Sequence, residues 1–367
     1  MRNWLSNFRY FDLYIFGGSI LLLVLGLLMI YSTTLNSPTN LWTHQLVFAI
    51  LGFIGMFALA FFDYRKLKKA TGILYVLIVL SLIMVWLLGH RVHGSTRWID
   101  LGIFRLQPAE FVKLVMVIIM AKFLDQAGEK LKSFRYVLLS GLYVAIPAVL
   151  VLIEPDLGTA LVIFLTWLLM LLFSRMNKKH LLIFLVGALA LSAVAWLFVL
   201  QPYQKNRIYT FFDPHLDPQG RGYNVLQSKI AVGSGSLTGR GVGRGLQSQL
   251  KFLPERQTDF IFASTAEELG LFGSLFILGL FGIIFARLIN ACQLARDNFG
   301  MYLTLGIFFM LLIQAMINIG MNIGLMPVTG IPLPLLSYGG SSLIMTMLSL
   351  GLVQSVVARQ RAVKFGD

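Results

Sequence analysis

Apolar runs of about twenty residues recur along this chain from near its start to near its end, separated by short charged or glycine- and proline-rich links. A helix of that length matches the roughly 30 Å hydrocarbon core of a bilayer. Ten such runs fall near 12–33, 41–62, 71–89, 108–125, 136–153, 157–174, 180–200, 259–290, 300–325 and 338–358. The expected fold is therefore all-α and integral to the membrane: a polytopic bundle of about ten transmembrane helices, one domain over 1–367, with one large loop at about 201–258. The eighth run is long for a bilayer and extends past it or tilts. With 57% hydrophobic and 13% charged residues, the chain does not have the composition of a soluble protein. The first run is too long for the apolar core of a cleavable signal peptide and reads as a retained helix.

Lysine and arginine set the orientation, because short cytoplasmic loops carry the excess. Of 30 such residues, 18 lie on the side holding both termini: Arg2, Arg9, Arg65, Lys66, Lys68, Lys69, Lys122, Lys130, Lys132, Arg135, Arg175, Lys178, Lys179, Arg287, Arg296, Arg359, Arg361 and Lys364. Four belong to the other side's first loop and its adjoining helix, namely Arg91, Arg97, Arg105 and Lys113. Both termini are thus expected in the cytoplasm and the large loop outside. That loop holds the remaining eight, Lys205, Arg207, Arg221, Lys229, Arg240, Arg244, Lys251 and Arg256, against the usual trend. Two accounts fit: attraction to anionic headgroups, or a site for an anionic substrate. The net charge of +14 is topological in this setting and does not call for nucleic acid.

The external side also concentrates the residues capable of chemistry. Residues 233–245 read Gly-Ser-Gly-Ser-Leu-Thr-Gly-Arg-Gly-Val-Gly-Arg-Gly, six glycines in thirteen positions. They are either a flexible linker or a backbone that approaches an anion closely, with Arg240 and Arg244 pairing to phosphate oxygens. The run lacks the Gly-Lys-Ser/Thr of a P-loop. Asp259 stands where this basic loop meets a hydrophobic helix, as that helix's N-cap or as a catalytic base. Arg97 and Trp98 lie in a second external cluster, and Trp98 suits an interfacial anchor. Glu110 and Lys113, three apart after Pro108, can pair on one helix face. Asp156, in the turn after Glu154, is placed to cap the next helix. Glu267 and Glu268 lie inside the eighth run, where Lys113 or an arginine is the expected partner. Gln314, Asn318 and Asn322 form one polar stripe, serving helix–helix hydrogen bonds or a hydrophilic cavity wall. Pro327, Pro332 and Pro334, with Ser337 following, make an irregular connection that must be covered by protein or water. A lone Cys292 excludes an intrachain disulfide and a cysteine metal cluster, and five histidines show no ligand spacing, so no metal site is assigned.

Taken in order, several segments resemble the SEDS family (shape, elongation, division and sporulation), and its rod-shape members more than its division members. They are Arg97-Trp98-Ile99-Asp100-Leu101-Gly102, Gln107-Pro108-Ala109-Glu110, Glu154-Pro155-Asp156-Leu157-Gly158-Thr159 and Gln227-Ser228-Lys229-Ile230-Ala231-Val232-Gly233. Further on come Pro254-Glu255-Arg256-Gln257-Thr258-Asp259-Phe260, Ala266-Glu267-Glu268-Leu269-Gly270 and Pro332-Leu333-Pro334-Leu335-Leu336-Ser337-Tyr338-Gly339-Gly340. Glu154 departs from the glutamine common in the rod-shape members.

The resemblance implies a ten-helix peptidoglycan glycosyltransferase that polymerises lipid II into glycan strands for cell-wall elongation and rod shape. It sits in the bacterial inner membrane with its catalytic face periplasmic. The family's critical aspartate falls on Asp259, implying an inverting displacement with that carboxylate as general base. Arg97, Trp98, Glu110, Lys113, Asp156, Lys229, Arg240, Arg244, Arg256, Glu267 and Ser337 are the expected substrate contacts. No cofactor is demanded; a divalent cation, Mg2+ or Mn2+, is an alternative to Arg240, Arg244 and Lys113 for steadying the departing pyrophosphate. The implied partners are the growing glycan strand, a class B penicillin-binding protein, and the elongation complex of MreC, MreD and MreB. A lipid II flippase, or a non-catalytic scaffold of that complex, are the alternative readings.

Overall fold

The computed structural model describes residues 11–35, 40–88, 90–92, 95–100, 105–177 and 221–361, with short isolated stretches between 179 and 214. Among the described residues, eight long helices, one shorter helix and a small sheet frame the molecule. They are α1 (Leu13–Thr34), α2 (Leu41–Phe61), α3 (Leu67–Leu88), α4 (Pro108–Ala127), α5 (Phe134–Ile153), α6 (Leu157–Leu172), then, after the large connection, α9 (Ile261–Gln293), α10 (Asn298–Asn322) and α11 (Gly340–Arg361); α6 is the shorter ninth. Seven of these are long and apolar enough to cross a membrane; α4, interrupted by charge, and α6, at 16 residues, are not among them. Nine of the ten expected runs are thus helices. The one near 180–200 lies almost wholly outside the described residues, as do Arg2, Arg9, Lys178, Arg207 and Lys364.

In lipid, burying apolar side chains brings no hydrophobic gain between helices, so close packing and hydrogen bonds must hold them. Glycine supplies the closeness here. A methyl at Gly351 of α11 would meet the Met56 carbonyl oxygen of α2 at 2.5 Å, and one at Gly26 of α1 would meet the Leu336 carbonyl oxygen at 2.6 Å. The hydrophobic windows of α11 and α10 are 83% and 72% buried, against 22% for the third helix, so these two form the centre of the bundle.

Charged pairs gather at one end. The Asp12 carboxylate caps α1 through the Tyr14 and Ile15 amides and accepts from Arg287 Nε at 2.9 Å. Nearby, Tyr64 Oη and Arg65 donate to Asp297, Arg175 pairs with Glu129, and Arg359 donates to the Phe61 carbonyl. These belong to the lysine- and arginine-rich set whose common side follows from the sequence.

The opposite end carries structure that periodicity did not reveal. Between α3 and α4 lies a three-stranded antiparallel sheet, β1 (His90–Val92), β2 (Ser95–Asp100) and β3 (Arg105–Leu106). The expected large loop is helical in part: α7 (Arg221–Ser234) and a single turn, α8 (Leu246–Gln249), precede α9.

Candidate active site

Asp259 lies one residue before the cap position of the helix that follows it. The cap position of α9 is Phe260, which makes no side-chain cap hydrogen bond. Instead Asn322 reaches across from α10, and its Oδ1 accepts from the Ala263 amide at 2.9 Å. A first-turn amide, unpaired by helix geometry, is thus satisfied by a tertiary contact.

The backbone leading to Asp259 is held carbonyl by carbonyl. Arg256 O accepts from Ser264 Oγ, Gln257 O from the Tyr338 amide at 2.8 Å, and Thr258 O from Ser337 Oγ at 2.6 Å. Asp259 O accepts from both Asn318 Nδ2 and Asn322 Nδ2 at 3.0 Å. Asn318 Nδ2 also donates to Ile331 O at 2.8 Å, tying in the proline-rich connection. Four fixed carbonyls in succession orient the half-buried carboxylate toward Gly330, whose notional Cβ lies 3.5 Å from Asp259 Oδ2. Gly330 has φ +78 and Gly324 φ +77, a region that favours glycine. Over Gly324 folds the exposed Lys229, its Cε 1.8 Å from the position a β-carbon would take. Ser228, the preceding residue on α7, donates to Asn322 O at 2.7 Å. A carboxylate and an ammonium therefore flank one glycine-bearing loop at the end of the bundle opposite the Asp12–Arg287 pair.

The remaining expected site residues divide. Gln314, one turn from Asn318, accepts from Lys113 Nζ at 2.8 Å, and Lys113 also pairs with Glu110 Oε1 at 2.9 Å. All three are buried, and Glu110 Oε2 has no hydrogen-bond partner. The polar stripe of α10 thus joins this buried pair to the Asp259 backbone through helix–helix hydrogen bonds. Ser337 is buried and spends its hydroxyl on Thr258 O and the Leu333 amide. Arg256 is buried, donates to Thr33 O, and burial lowers its pKa. Asp156 caps α6 through the Thr159 amide and hydroxyl and accepts from Gln107. Arg97 donates to the Glu154 and Pro155 carbonyls, in the same knot. Trp98 is half-buried in β2.

Glu267 and Glu268 have different partners from those expected. Glu267 accepts from the Gln247 and Ser248 amides at 2.8 and 3.1 Å and from Ser248 Oγ at 2.8 Å, satisfying the start of α8. Glu268 accepts from Ser32 Oγ, and from the Gly243 amide at 3.0 Å. Neither meets Lys113 or an arginine side chain. The amides of the glycine-rich run are spent on α9: Arg240 and Gly241 donate to the Glu267 and Glu268 carbonyls. Its glycines permit this contact. A β-carbon would lie 1.9 Å from Ala266 O at Gly235 and 2.2 Å from Glu268 O at Gly239. The helix answers with a kink at Gly270, φ 67 and ψ −160. Residues 235–249 are therefore a clasp around α9. Arg240 and Arg244 are exposed and without an ion pair among the described residues, Arg240 Nε donating to Ser234 O at 3.4 Å.

The stripe on the ninth run pointed to Asn318 and Asn322, but only the fold reveals that they hold Asp259. Nothing in the pattern singles out Gly324 and Gly330.

The family model FTSW_RODA_SPOVE, described as a cell cycle protein, matches residues 12–362. The chain belongs to this family. Peptidoglycan glycosyltransferase MrdB of Escherichia coli (strain K12) is 37% identical over 337 residues, covering 91% of this chain and 90% of that one. Peptidoglycan glycosyltransferase RodA of Treponema pallidum (strain Nichols) is 32% identical over 427 residues, covering 95% and 98%. Among solved structures of the family fold, a chain from a study of structural coordination of polymerization and crosslinking by a peptidoglycan synthase complex superposes with TM-score 0.83 at 31% identity, covering 97% of this chain and 99% of that one. Thermus thermophilus rod shape determining protein RodA superposes with TM-score 0.72 at 30% identity, covering 97% and 98%.

Proposed function

We propose that this chain is a peptidoglycan glycosyltransferase of cell-wall elongation that polymerises lipid II, with Asp259 as general base. The observation that carries the assignment is the fixed placement of Asp259 at the junction of the loop and α9. Asn322 satisfies the helix amide while four backbone carbonyls lock residues 256–259. Such fixed placement is what proton transfer requires, and general-base help is worth ~10²–10⁴ in rate.

In this mechanism the acceptor's GlcNAc 4-hydroxyl gives its proton to the Asp259 carboxylate as the oxygen attacks the donor's anomeric carbon. The bond to the pyrophosphate breaks, and the configuration inverts. Lys229, across the Gly324–Gly330 loop, meets the charge developing on the departing pyrophosphate. The buried Lys113–Glu110 pair stiffens the floor through Gln314. Arg97, Asp156, Arg256, Glu267 and Ser337 act by holding backbone. Arg240 and Arg244 sit on the clasp, about two turns along α9, so the pyrophosphate contact is assigned to Lys229 ahead of them. Among the described residues no group of three His, Cys, Asp or Glu has the arrangement of a metal site, and no step is routed through a divalent cation.

Both termini and the Asp12–Arg287 end face the cytoplasm, and Asp259 faces the outside of the inner membrane; the lysine and arginine asymmetry supports this. Similarity to a chain of a peptidoglycan synthase complex supports a class B penicillin-binding protein as crosslinking partner, within an assembly containing MreC, MreD and MreB.

The test is glycan synthesis from lipid II by purified protein with its penicillin-binding partner. Asp259→Asn keeps the shape but cannot accept the proton, and is expected to lower the rate ~10²-fold or more. Long strands at near wild-type rate from a normally expressed Asn variant would refute the assignment and return the flippase and scaffold readings.

A further inference from the structure

Among the described residues the clasp carries a set of exposed apolar side chains. Leu237, Val242, Leu246, Leu250 and Phe252 are exposed by 60%, 45%, 52%, 59% and 45%. Five large apolar side chains exposed within residues 237–252 are not what a loop in water carries. The surface is continuous with α9, where Leu271, Phe272, Leu275 and Phe276 are also exposed. The Leu271 and Phe272 amides donate to Ser236 O and Leu237 O, so Leu237 lies level with Phe272.

That level can be placed relative to a bilayer. Helix α1 runs 22 residues, about 33 Å at 1.5 Å per residue, close to the roughly 30 Å apolar core. Asp12, which caps its start, binds Arg287, so these two mark one boundary. The clasp touches the other end of the same helix: Gly243 N donates to Ser32 Oγ, Gln249 Nε2 to Ser32 O, and the Gly243 position lies against Leu35. Along α9, Arg287 to Leu271 is sixteen residues, about 24 Å. Both helices put the clasp at the far edge of the core. Helix α9, at 33 residues or about 50 Å, exceeds the core; the clasp meets it from Ala266 to Phe272, so its first five residues, about 7.5 Å, stand beyond the clasp.

Charge agrees with that level. Residues 218–254 contain no acidic residue. Arg240, Arg244 and Lys251 are exposed and make no ion pair among the described residues, placed as cations that snorkel from an apolar surface toward phosphates.

The geometry points to an interfacial anchor: residues 235–252 seat these five apolar side chains among the acyl chains of the leaflet on the Asp259 side, with Arg240, Arg244 and Lys251 in its phosphate plane. The occupant is the bilayer itself. Because the clasp is hydrogen-bonded to α9 at the Gly270 kink, it sets the height at which Asp259 stands above the membrane. This conclusion does not depend on the reaction assigned to Asp259.

The test uses the full chain in phosphatidylcholine vesicles without any polyprenyl pyrophosphate, which removes substrate as a source of phosphate. Nitroxide labels go on single cysteines replacing Leu237 or Leu250 in a Cys292→Ser background, with Leu246 as a third position should either disturb folding. Leu275 provides the lipid-facing reference and Glu255 the aqueous one. Labels at 237 and 250 are expected to match Leu275, with high oxygen and low nickel-chelate accessibility. Adding phosphatidylglycerol is expected to shift them deeper, and Arg240→Gln, Arg244→Gln and Lys251→Gln together to abolish that shift. Labels as accessible to nickel chelate as Glu255 would overturn the anchor. No response to phosphatidylglycerol in the otherwise unaltered chain would overturn the placing of the three cations.

Discussion

Replacing Asn322 with alanine separates positioning from chemistry more cleanly than any change at Asp259. Asn322 donates to Asp259 O and to Asn318 O and accepts from Ala263 N. Ala263 is fully buried, so its amide loses its partner with no water to replace it, a cost of about 1–3 kcal/mol. Asp259 O keeps Asn318 Nδ2, so that loss is a single hydrogen bond worth about 1 kcal/mol. The protein is therefore expected to lose about 2–4 kcal/mol and still fold. The effect on the reaction is larger, since a misplacement of about 1 Å costs ~10²-fold in rate. Asn322 touches no reacting atom in the proposed mechanism, so kcat should fall while the KM for lipid II changes little. Asn322→Asp keeps the acceptor for Ala263 N but loses the donor to Asp259 O, so it should restore stability more than rate. The assays are thermal unfolding of the purified protein and lipid II polymerisation with the crosslinking partner present. An alanine variant with wild-type midpoint and wild-type kcat would refute the claim that this side chain holds the carboxylate.

Two further outcomes follow from individual contacts. In the turn between α5 and α6, Glu154 is fully buried with both oxygens unpartnered; burial foremost, then Asp156, with Arg97 opposing, push its pKa from 4.5 to about 8. The folded protein then holds this proton more tightly than the unfolded chain, so stability is lost as pH rises from about 4.5 to 8, by at most about 5 kcal/mol at 1.36 kcal/mol per pH unit. Glu154→Gln should remove that slope, matching wild type at pH 5 and exceeding it at pH 8 in thermal unfolding; parallel curves would contradict it. Gly324→Ala would put a methyl onto Lys229 Cε at a backbone of φ +77 and should lower polymerisation by displacing the ammonium, with stability followed as the control. Unchanged turnover would remove Lys229 from the pyrophosphate site.

The membrane character of this chain and most of its helices were legible in one dimension, because a span must be apolar over a length set by the bilayer. Nine of the ten expected runs are helices, with ends within a few residues of expectation. The lysine and arginine count likewise foretold which residues share the Asp12–Arg287 end. Asp259 was marked by its place between a basic loop and a helix, but spacing alone favoured a cap over a base. The Ala263 amide of the helix is capped by Asn322, 63 residues from Asp259, which also holds the Asp259 carbonyl. No local pattern encodes such a partner. Glu267 and Glu268 illustrate the same limit. Charge in an apolar run demands a partner, and a cation was the natural expectation, yet backbone amides of the clasp fill that need. The six glycines of the run 233–245 suited a phosphate cradle by composition. The use of three of them, Gly235, Gly239 and Gly245, as the close face of a backbone packed on α9 depends on where the Gly270 kink falls in space. Length and hydropathy are properties of a segment and can be read from it; the pairing of polar groups is a property of the packed bundle, and only the tertiary structure decided it.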